Sequence, residues 1–165
     1  MLDKLVNKKV ISLPYENESI IQFNKTKSYL EQVGFEHYEI SNYCKPGFKS
    51  KHNSAYWKAE EYIGLGAAAH SFNISSRSWN PESIEEYISN IENNTLSFTE
   101  ILSEKDKYNE YIMLSLRTKE GIDEKYIENN FPQYLPHFKR QKEKAKDLLK
   151  KPWLLNDRIA LELMI

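Results

Sequence analysis

The apolar positions in the first quarter of the chain predict a helix followed by a strand. Apolar residues recur near one face of a helix predicted over residues 19–33, namely Ile20, Phe23, Leu30 and Val33. Gly34 stands where a C-terminal cap belongs, and residues 35–40 then predict a strand. Helix, glycine and strand form the second half of a βαβ unit, so we expect this strand to join a parallel sheet.

Short apolar runs in the same half of the chain predict less regular structure. Residues 10–13 form an apolar run that ends at a proline, and residues 44–54 are typical of a loop. Residues 62–65 predict a short strand that runs into a Gly/Ala segment, and residues 75–79 predict another.

The pattern becomes helical from Asn80 onward. Asn80 and Pro81 predict an N-cap and the first position of a helix. The apolar stripe of this helix has the spacing of one helical face: Ile84, Tyr87, Ile88 and Ile91. The sequence shows no internal repeat and no low-complexity linker, so this change of pattern is the predicted boundary between two domains, 1–79 and 80–165.

Three further helices and a hairpin are predicted in the second domain. The helices are expected to begin at Ser103, Asp123 and Pro136. Gly121 should stop the first of them, and the last, a basic helix, should continue to Lys151 and end at Pro152. Residues 153–161 then predict a β-hairpin whose turn is Asn156-Asp157.

Composition narrows the class of protein. The 165 residues suit one domain or two small ones, and a formal net charge of -1 gives no overall attraction to nucleic acid or anionic lipid. The single cysteine, Cys44, excludes an intrachain disulfide and excludes iron–sulfur ligation by this chain alone. No apolar run reaches membrane-spanning length and no signal peptide is present, so a cytoplasmic location is expected.

The first candidate site is His52-Asn53-x-x-Tyr56-Trp57. A histidine beside an amide and two aromatic residues could bind a heme iron, with the aromatic rings packed on the macrocycle. The same residues could equally belong to a surface loop that Tyr56 and Trp57 anchor to the core. On the residues alone, the second interpretation is the better one.

The second candidate is the run from Gly64 through Gly66 to Ala69 and His70. It lacks the lysine of a P-loop and the third glycine of a dinucleotide fingerprint, so it is a weak phosphate cradle. Small residues could let a ligand touch the backbone here, or could only allow tight packing between a strand and a helix. His70 by itself favours a structural role.

Two polar residues, Glu39 and Asn42, flank the predicted end of the strand over 35–40. Binding groups favour the carboxyl ends of parallel strands, but an asparagine is also a common turn residue, and both interpretations stay open. Glu110 and Arg117 are seven residues apart and share a helix face, which favours an orienting, structural role. The basic run over 139–151 has the spacing of a solvated helix face.

Several of these motifs occur together, in order, in one known family. They are Tyr38-Glu-Ile-Ser-Asn42, His52-Asn-x-x-Tyr-Trp57, Gly64-Leu-Gly66 with Ala69-His70-Ser71, Arg77 with Asn80, Glu110, Leu116-Arg-Thr118 and Gly121-Ile-Asp123. The chain resembles the oxygen-independent coproporphyrinogen III oxidase-like family of radical S-adenosylmethionine (SAM) proteins, and within it the heme chaperone branch. The resemblance runs from about residue 13 to residue 155.

The resemblance implies an α/β fold class: the last strands and helix of a partial (β/α) radical SAM barrel, followed by a mostly helical, winged-helix-like C-terminal domain. Family members begin with Cys-x-x-x-Cys-x-x-Cys, which binds a [4Fe-4S] cluster to which SAM is chelated. That motif is absent here, so we expect the chain to be the C-terminal part of such a protein, without radical chemistry of its own and without a catalytic residue. The Leu-Thr-x-x-Gly segment that usually follows the hairpin is also absent.

The resemblance also implies the ligands and the residues that bind them. The family's heme-contacting motif falls on His52, Asn53, Tyr56 and Trp57, which reverses the interpretation from the residues alone. A cavity for SAM and substrate would be lined by Glu39, Asn42, Gly64, Gly66, Ala69 and His70. Ala67-Ala68 stands where the family usually has Pro-Gly or a similar insert, and this difference weakens the assignment of these residues to a SAM and substrate cavity. Heme is the cofactor expected for this chain, whereas the cluster and SAM belong to the full-length protein only.

Three functions therefore compete. The leading one is a heme chaperone that binds heme or porphyrin and delivers heme to accepting proteins, with peripheral membrane contact compatible with that role. The first alternative is an anaerobic coproporphyrinogen III oxidative decarboxylase. The second is a winged-helix nucleic-acid-binding module, suggested by three helices followed by a hairpin but disfavoured by the net charge. An incomplete sheet has open edges, so a dimer joined through strands is also expected.

Overall fold

The computed structural model describes residues 2–7, 10–11, 15–95, 98–149 and 152–165. The chain divides into two compact units, residues 1–49 and 50–165, and each is described by itself. The domain boundary expected at 79/80 stays a prediction. In the described ranges, no helix combines the length and the apolar content needed to cross a bilayer.

The first unit contains two helices and one pair of strands. Its elements are α1 (Leu2–Asn7), α2 (Glu16–Gln32), β1 (Glu36–His37) and β2 (Tyr43–Cys44). The Glu18 carboxylate accepts a hydrogen bond from the backbone N–H of Tyr15, the residue before α2, at 3.0 Å. Gly34 follows the C-cap with φ +81°, a conformation that glycine adopts without strain. The predicted helix and its glycine cap are confirmed, with the helix starting three residues earlier.

The strand predicted over 35–40 is short and pairs in the opposite sense from the one expected. β1 pairs antiparallel with β2, with Glu36 opposite Cys44 and His37 opposite Tyr43. The expectation of a parallel pairing is wrong for this strand. The reason is the short connection: the few residues between β1 and β2 can join antiparallel neighbours, whereas parallel neighbours need a long crossover. The apolar run over 10–13 lies partly outside the described residues.

The second unit begins with a short helix and a three-stranded sheet. Its first elements are α3 (Lys51–Trp57), β3 (His70–Phe72), β4 (Ser76–Trp79) and β5 (Phe98–Ile101). The strand order is β3-β4-β5, and both pairs are antiparallel. The strand predicted over 75–79 is confirmed, while 62–65 contributes only an isolated bridge from Tyr62 to Phe72. The loop predicted over 44–54 is wrong at its end, because residues 51–54 are helical.

The next helix, α4 (Ile84–Glu92), begins later than its sequence suggested. Its N-cap is Ser83, whose hydroxyl accepts a hydrogen bond from the N–H of Glu86 at 3.3 Å. The prediction that Asn80 and Pro81 start the helix is wrong, because the Asn80 side chain is used elsewhere: its Nδ2 donates to the carbonyl of Gly66 at 2.8 Å. The predicted stripe lies on α4, but three of its members are at least half exposed: Ile84, Ile88 and Ile91.

Four helices complete the second unit. They are α5 (Glu104–Leu116), α6 (Glu124–Asn130), α7 (Leu135–Lys144) and α8 (Pro152–Leu163), with a 3-10 turn at Pro132–Tyr134. Ser103 and Asp106 form the capping box of α5, and Asp123 caps α6, as predicted. The core between these helices contains Tyr108, Ile112, Leu116, Ile127, Phe131, Phe138, Ile159, Ala160 and Leu163.

The C-terminal segment differs most from its prediction. Residues 153–161 lie in α8 instead of a hairpin, and the predicted turn residues Asn156 and Asp157 are helical. Ile159 and Leu163, one helical turn apart, are both fully buried, so the apolar spacing is that of a helix face. Pro152 starts α8 instead of ending the basic helix, which stops at Lys144. Residues 153–161 therefore do not form the β-hairpin that a winged-helix domain needs.

Other expected boundaries shift by a few residues. α5 ends at Leu116 with Arg117 as its C-cap, before Gly121, which was expected to stop it. In the described part of the chain, the helices and strands are mixed as an α/β class predicts, but the two small sheets do not form a closed barrel.

Because the hydroxyl of Tyr108 is buried, we expect the free energy of unfolding to change with pH in the alkaline range. This hydroxyl donates a hydrogen bond to the carbonyl of Leu163 at 2.9 Å, and burial raises the pKa of Tyr108 to about 12. An unfolded tyrosine ionises near pH 10, so this group favours the folded state fully below pH 10. We expect the stabilisation, on the order of 2 kcal/mol, to be lost as the pH rises from 10 towards 12.

Urea unfolding between pH 8 and 12 measures this loss. In Tyr108→Phe the free energy of unfolding should fall less steeply above pH 10, whereas the exposed-tyrosine control Tyr15→Phe should follow the parent protein. Equal slopes for the parent and Tyr108→Phe would contradict the assignment.

Candidate functional site

The motif His52-Asn53-x-x-Tyr56-Trp57 lies on α3, not in a loop. Ser50 caps the helix, because its hydroxyl accepts a hydrogen bond from the N–H of Asn53 at 3.2 Å. Residues four apart on a helix are neighbours, so His52 lies beside Tyr56 and Asn53 lies beside Trp57. The motif thus forms two adjacent pairs on a helix of seven residues.

The first pair faces solvent. His52 is exposed, and its ring meets the ring of Tyr56 edge-on, with the centroids 4.9 Å apart. Tyr56 in turn contacts the ring of Tyr62 at 4.9 Å. Among the described residues, no hydrogen bond engages either ring nitrogen of His52. The imidazole is therefore held by an aromatic contact while its nitrogens stay available to a ligand.

The second pair, Asn53 and Trp57, faces a cavity in the second unit. Asn53 and Trp57 are half-buried, and together with Tyr56 they line a cavity of about 380 Å³. This volume lies at the lower end of the range for small-molecule sites. The remaining wall is largely aromatic and apolar and comes from later elements: Ala59, Glu60, Tyr62, Phe72, Glu110 and Leu114.

Glu110, which lines the cavity from α5, belongs to an ion pair. Arg77 of β4 donates to the carboxylate of Glu110 of α5, and both side chains are partly buried. Burial raises the pKa of the nearby Tyr62, with Tyr56 and Glu110 adding to the rise and Arg77 opposing it. Tyr62 therefore keeps its proton at neutral pH and can act as a hydrogen-bond donor.

A second contact joins α3 to α5. The guanidinium of Arg117 lies over the ring of Trp57, with Cζ 5.0 Å from the ring centroid. Glu110 and Arg117 thus share a helix face, as predicted, but each contacts an element of the site instead of the other.

The Gly64–His70 segment is held by side chains from later in the sequence. The N–H of Gly64 donates to the hydroxyl of Ser71 at 3.0 Å, and the N–H of Gly66 donates to the hydroxyl of Tyr87 at 3.2 Å. Because these two backbone donors already have acceptors, the segment does not form a phosphate cradle. Its small residues instead permit close backbone packing.

Gly64 shows this packing directly. A Cβ atom on Gly64 would lie 2.1 Å from the carbonyl oxygen of His70. The second interpretation of the glycine run, tight packing, is thereby supported, although the partner is strand β3 and not a helix.

His70 begins a row of aromatic rings across the sheet. Its ring stacks on Trp79 of β4 at 6.1 Å, and Trp79 stacks on Phe98 of β5 at 6.1 Å. These three residues are aligned in the strand register, since His70 pairs with Trp79 and Trp79 with Phe98. A structural role for His70 agrees with this row.

Glu39 and Asn42 belong to the first unit, at the turn between β1 and β2. Glu39 is 1% exposed, and its Oε1 accepts a hydrogen bond from the N–H of Ser41 at 3.0 Å. Its Oε2 is buried and has no hydrogen-bond partner in the part of the chain described. The backbone N–H of Asn42 donates to the carbonyl of Glu39 at 3.4 Å. The other eight predicted site residues lie in the second unit. The SAM and substrate cavity, expected to be lined by Glu39 and Asn42 together with Gly64, Gly66, Ala69 and His70, stays a prediction.

Several residues of the site were not expected from the sequence, among them Tyr62, Phe72 and Tyr87. Tyr62 and Phe72 line the cavity, and the hydroxyl of Tyr87 holds Gly66. Tyr62 stands two residues before Gly64, which is a usable signal, but Tyr87 is 21 residues from the backbone group it binds. Nothing in the local sequence announces that contact.

The residues of the chain fit one of the two metal groups that its resemblance implies and not the other. Cys44 is its only cysteine and is buried, so the chain cannot supply the thiolates of a [4Fe-4S] cluster. In the described ranges, no three His, Cys, Asp or Glu residues come together as a metal site. His52, by contrast, fits a heme iron, because a single exposed imidazole is sufficient as a protein ligand.

Comparison with known proteins gives consistent relatives. Over 149 residues, 90% of the chain, the sequence is 33% identical to the heme chaperone HemW of Lactococcus lactis. It is 30% identical to the heme chaperone HemW of Bacillus subtilis over 133 residues, 79% of the chain. These matches cover 39% and 35% of the two relatives, so the chain spans less than two fifths of their length. No family model matches the chain.

The fold has a counterpart among solved structures. The chain superposes on coproporphyrinogen III oxidase (HemN) from Escherichia coli, a radical SAM enzyme, with a TM-score of 0.69. The superposition covers 92% of this chain and 42% of that one, at 15% sequence identity. At this level of identity the likeness shows a shared fold and carries no statement about activity.

Gly64→Ala should disturb the site segment because the new methyl group would collide with backbone. We expect it to lower the free energy of unfolding by about 1–3 kcal/mol, the usual cost of overpacking. Gly121→Ala is the control, since no atom lies within 4 Å of its Cβ position and its φ of +70° lies in the left-handed region, which costs alanine about 1 kcal/mol. Urea denaturation of both variants measures the difference, and an equal or smaller cost for Gly64→Ala would contradict the packing argument.

Ala68→Gly should stabilise the same segment. Ala68 has φ +58°, the left-handed region, which costs about 1 kcal/mol for a residue with a Cβ. Glycine removes that strain but adds freedom to the unfolded chain, so we expect a net gain of up to about 0.5 kcal/mol. Ala69→Gly, whose backbone is not in that region, should destabilise instead. Thermal unfolding of the two variants measures this difference, and a loss of stability in Ala68→Gly would contradict the claim that Ala68 is strained.

Proposed function

Because the chain belongs to the family of the curated heme chaperones, we propose that it binds heme and takes part in delivering it to accepting proteins. One observation carries the proposal: the exposed imidazole of His52 is fixed on α3 by the ring of Tyr56 and keeps both nitrogens available.

His52 is the residue proposed to bind the heme iron. A neutral imidazole is the commonest protein ligand of heme iron, and an exposed one binds without first breaking a protein hydrogen bond. Tyr56, one helical turn along, offers an aromatic edge beside the ligand nitrogen. Asn53 and Trp57 support the helix from the cavity side, so we propose that they act on heme through the position of α3.

We propose heme delivery as the function, in preference to the oxidative decarboxylation of coproporphyrinogen III. The relatives with 30–33% identity are named heme chaperones, whereas the oxidase resembles the chain in fold at 15% identity. Since one cysteine cannot hold a [4Fe-4S] cluster, no radical step is derived for these residues. The lining of a SAM and substrate cavity by Glu39, Asn42, Gly64, Gly66, Ala69 and His70 is proposed only for a protein that contains the cluster.

The other partners stay predictions. A strand-joined dimer would use β5, whose four residues are exposed and which lies at the edge of its described sheet. Nucleic-acid binding is not proposed, because α8 replaces the hairpin on which the winged-helix alternative depended.

A heme titration followed by Soret absorbance tests the proposal. The parent chain should give a saturable shift of the Soret band, and His52→Ala should lose the shift or weaken binding by about tenfold or more. That magnitude follows because removing even an outer partner of a metal ligand costs about 10–100-fold in affinity. His70→Ala is the matched control, since His70 is also exposed and lies in the same unit.

Two outcomes would contradict the proposal. An unchanged titration in His52→Ala would show that another group binds the iron, and loss of binding in His70→Ala alone would identify that group. No saturable shift in the parent chain would mean that this chain does not bind heme by itself.

A further inference from the structure

The helix α5 and its C-cap contact the candidate site at two points, Glu110 in the helix and Arg117 at the cap. Glu110 pairs with Arg77 of β4, and the guanidinium of Arg117 lies over the ring of Trp57 of α3. The two contacts are two helical turns apart, so one face of α5 holds both the sheet and the helix that carries His52.

The contact between Arg117 and Trp57 is partly buried, and the guanidinium lies over the ring with Cζ 5.0 Å from its centroid. The N–H groups at Trp57 Nε1 and Arg117 Nε are both shielded from solvent, and neither has an acceptor among the described residues. A planar guanidinium over an indole ring is attracted by the ring's π electrons, and this attraction is stronger when water is excluded. Lysine cannot reproduce it fully, because an ammonium group lacks the flat face that stacks on the ring.

The helix α3 depends on such outside contacts for its orientation. It has seven residues, fewer than an isolated helix needs to persist in water. Ser50 fixes its first turn by capping, and Trp57 is its last residue. A loss of the Arg117 contact at that end would let the helix rotate or fray, and the imidazole of His52 would lose its fixed direction.

We propose that Arg117 is a positioning residue for the heme site, acting through Trp57 to fix the direction of the His52 imidazole. The proposal rests on the proposed function in one respect, namely that His52 binds the heme iron. The effect of Arg117 on the His52 ring is a property of the protein without heme and can be measured separately.

The first experiment uses the heme-free chain. The chain has four histidines, so the ring signals of each can be followed by ¹H–¹³C NMR and assigned by single replacements. In Arg117→Ala the His52 signals should shift and broaden, and Arg117→Lys should restore them only in part. Lys119→Ala, an exposed cation two residues away, should leave them unchanged. The signals of His137, which bonds the carbonyl of Met164 in the helical part, report whether that part stays folded.

The second experiment adds heme to the same variants. Heme affinity should fall about tenfold in Arg117→Ala, as expected for the loss of a partly buried cation–π contact. Free imidazole should then restore the Soret band of imidazole-bound heme in Arg117→Ala, because it replaces the His52 imidazole, whose direction is no longer fixed in this variant. Lys119→Ala should bind heme as the parent chain does.

The outcomes separate the two proposals. If the parent chain binds no heme but the His52 signals respond to Arg117→Ala, the heme function fails and the positioning role stands. If the His52 signals are the same in the parent chain and Arg117→Ala, the positioning role is refuted whatever the titration gives. If Arg117→Ala unfolds, as loss of the His137 signals would show, Trp57→Phe takes its place. That variant weakens the same contact while keeping a ring, and unchanged His52 signals in it would likewise refute the role.

Discussion

The structure depends on one helix that serves two different interfaces. Tyr108, Ile112 and Leu116 of α5 recur at every fourth position and are buried among α6, α7 and α8. Glu110 and Leu114 lie between those positions and Arg117 directly follows them, and these residues contact the sheet, the cavity and α3. Because the helical core fixes α5 rigidly, the polar residues on its other side can fix the site.

This arrangement explains why the charged residues on α5 are only partly buried. A fully buried ion pair would lose more hydration than it regains in attraction, but Arg77 and Glu110 stay partly exposed. The pair therefore orients β4 at small cost. Arg117 keeps its charge against an aromatic ring instead, where the attraction requires no second ion.

The sequence predicted best those elements whose ends carry local signals. Ser103 with Asp106, Asp123, and Gly34 each mark a helix end through groups within a few residues, and all three act as predicted. The prediction of where α4 starts was wrong. Asn80 is a residue type that often caps helices, but its side chain donates a hydrogen bond to the carbonyl of Gly66 instead. Distant bonding partners decide such cases, and a local pattern does not contain them.

The failure at α8 has a different cause. Short apolar runs around an Asn-Asp pair suit a hairpin, but Ile159 and Leu163 also have the spacing of a helix face. Burial against α5 decides between the two, since Tyr108 offers its hydroxyl to the carbonyl of Leu163 at the end of α8. Tertiary packing therefore overrides the turn propensity of two polar residues.

The sequence motif predicted a loop at the candidate site, whereas the structure has a helix there. The spacing of His52 and Tyr56 is that of one helical turn, and Ser50 before them is a good N-cap, yet the nearby Pro46-Gly47 favoured a loop. The consequence matters for function. In a loop, the four motif residues could converge on one ligand. On the helix, His52 faces solvent, whereas Asn53 and Trp57 line the cavity together with Tyr56. An outward imidazole on a helix that the core holds from behind suits a ligand that must arrive and leave, because neither step requires the packed side of the site to open.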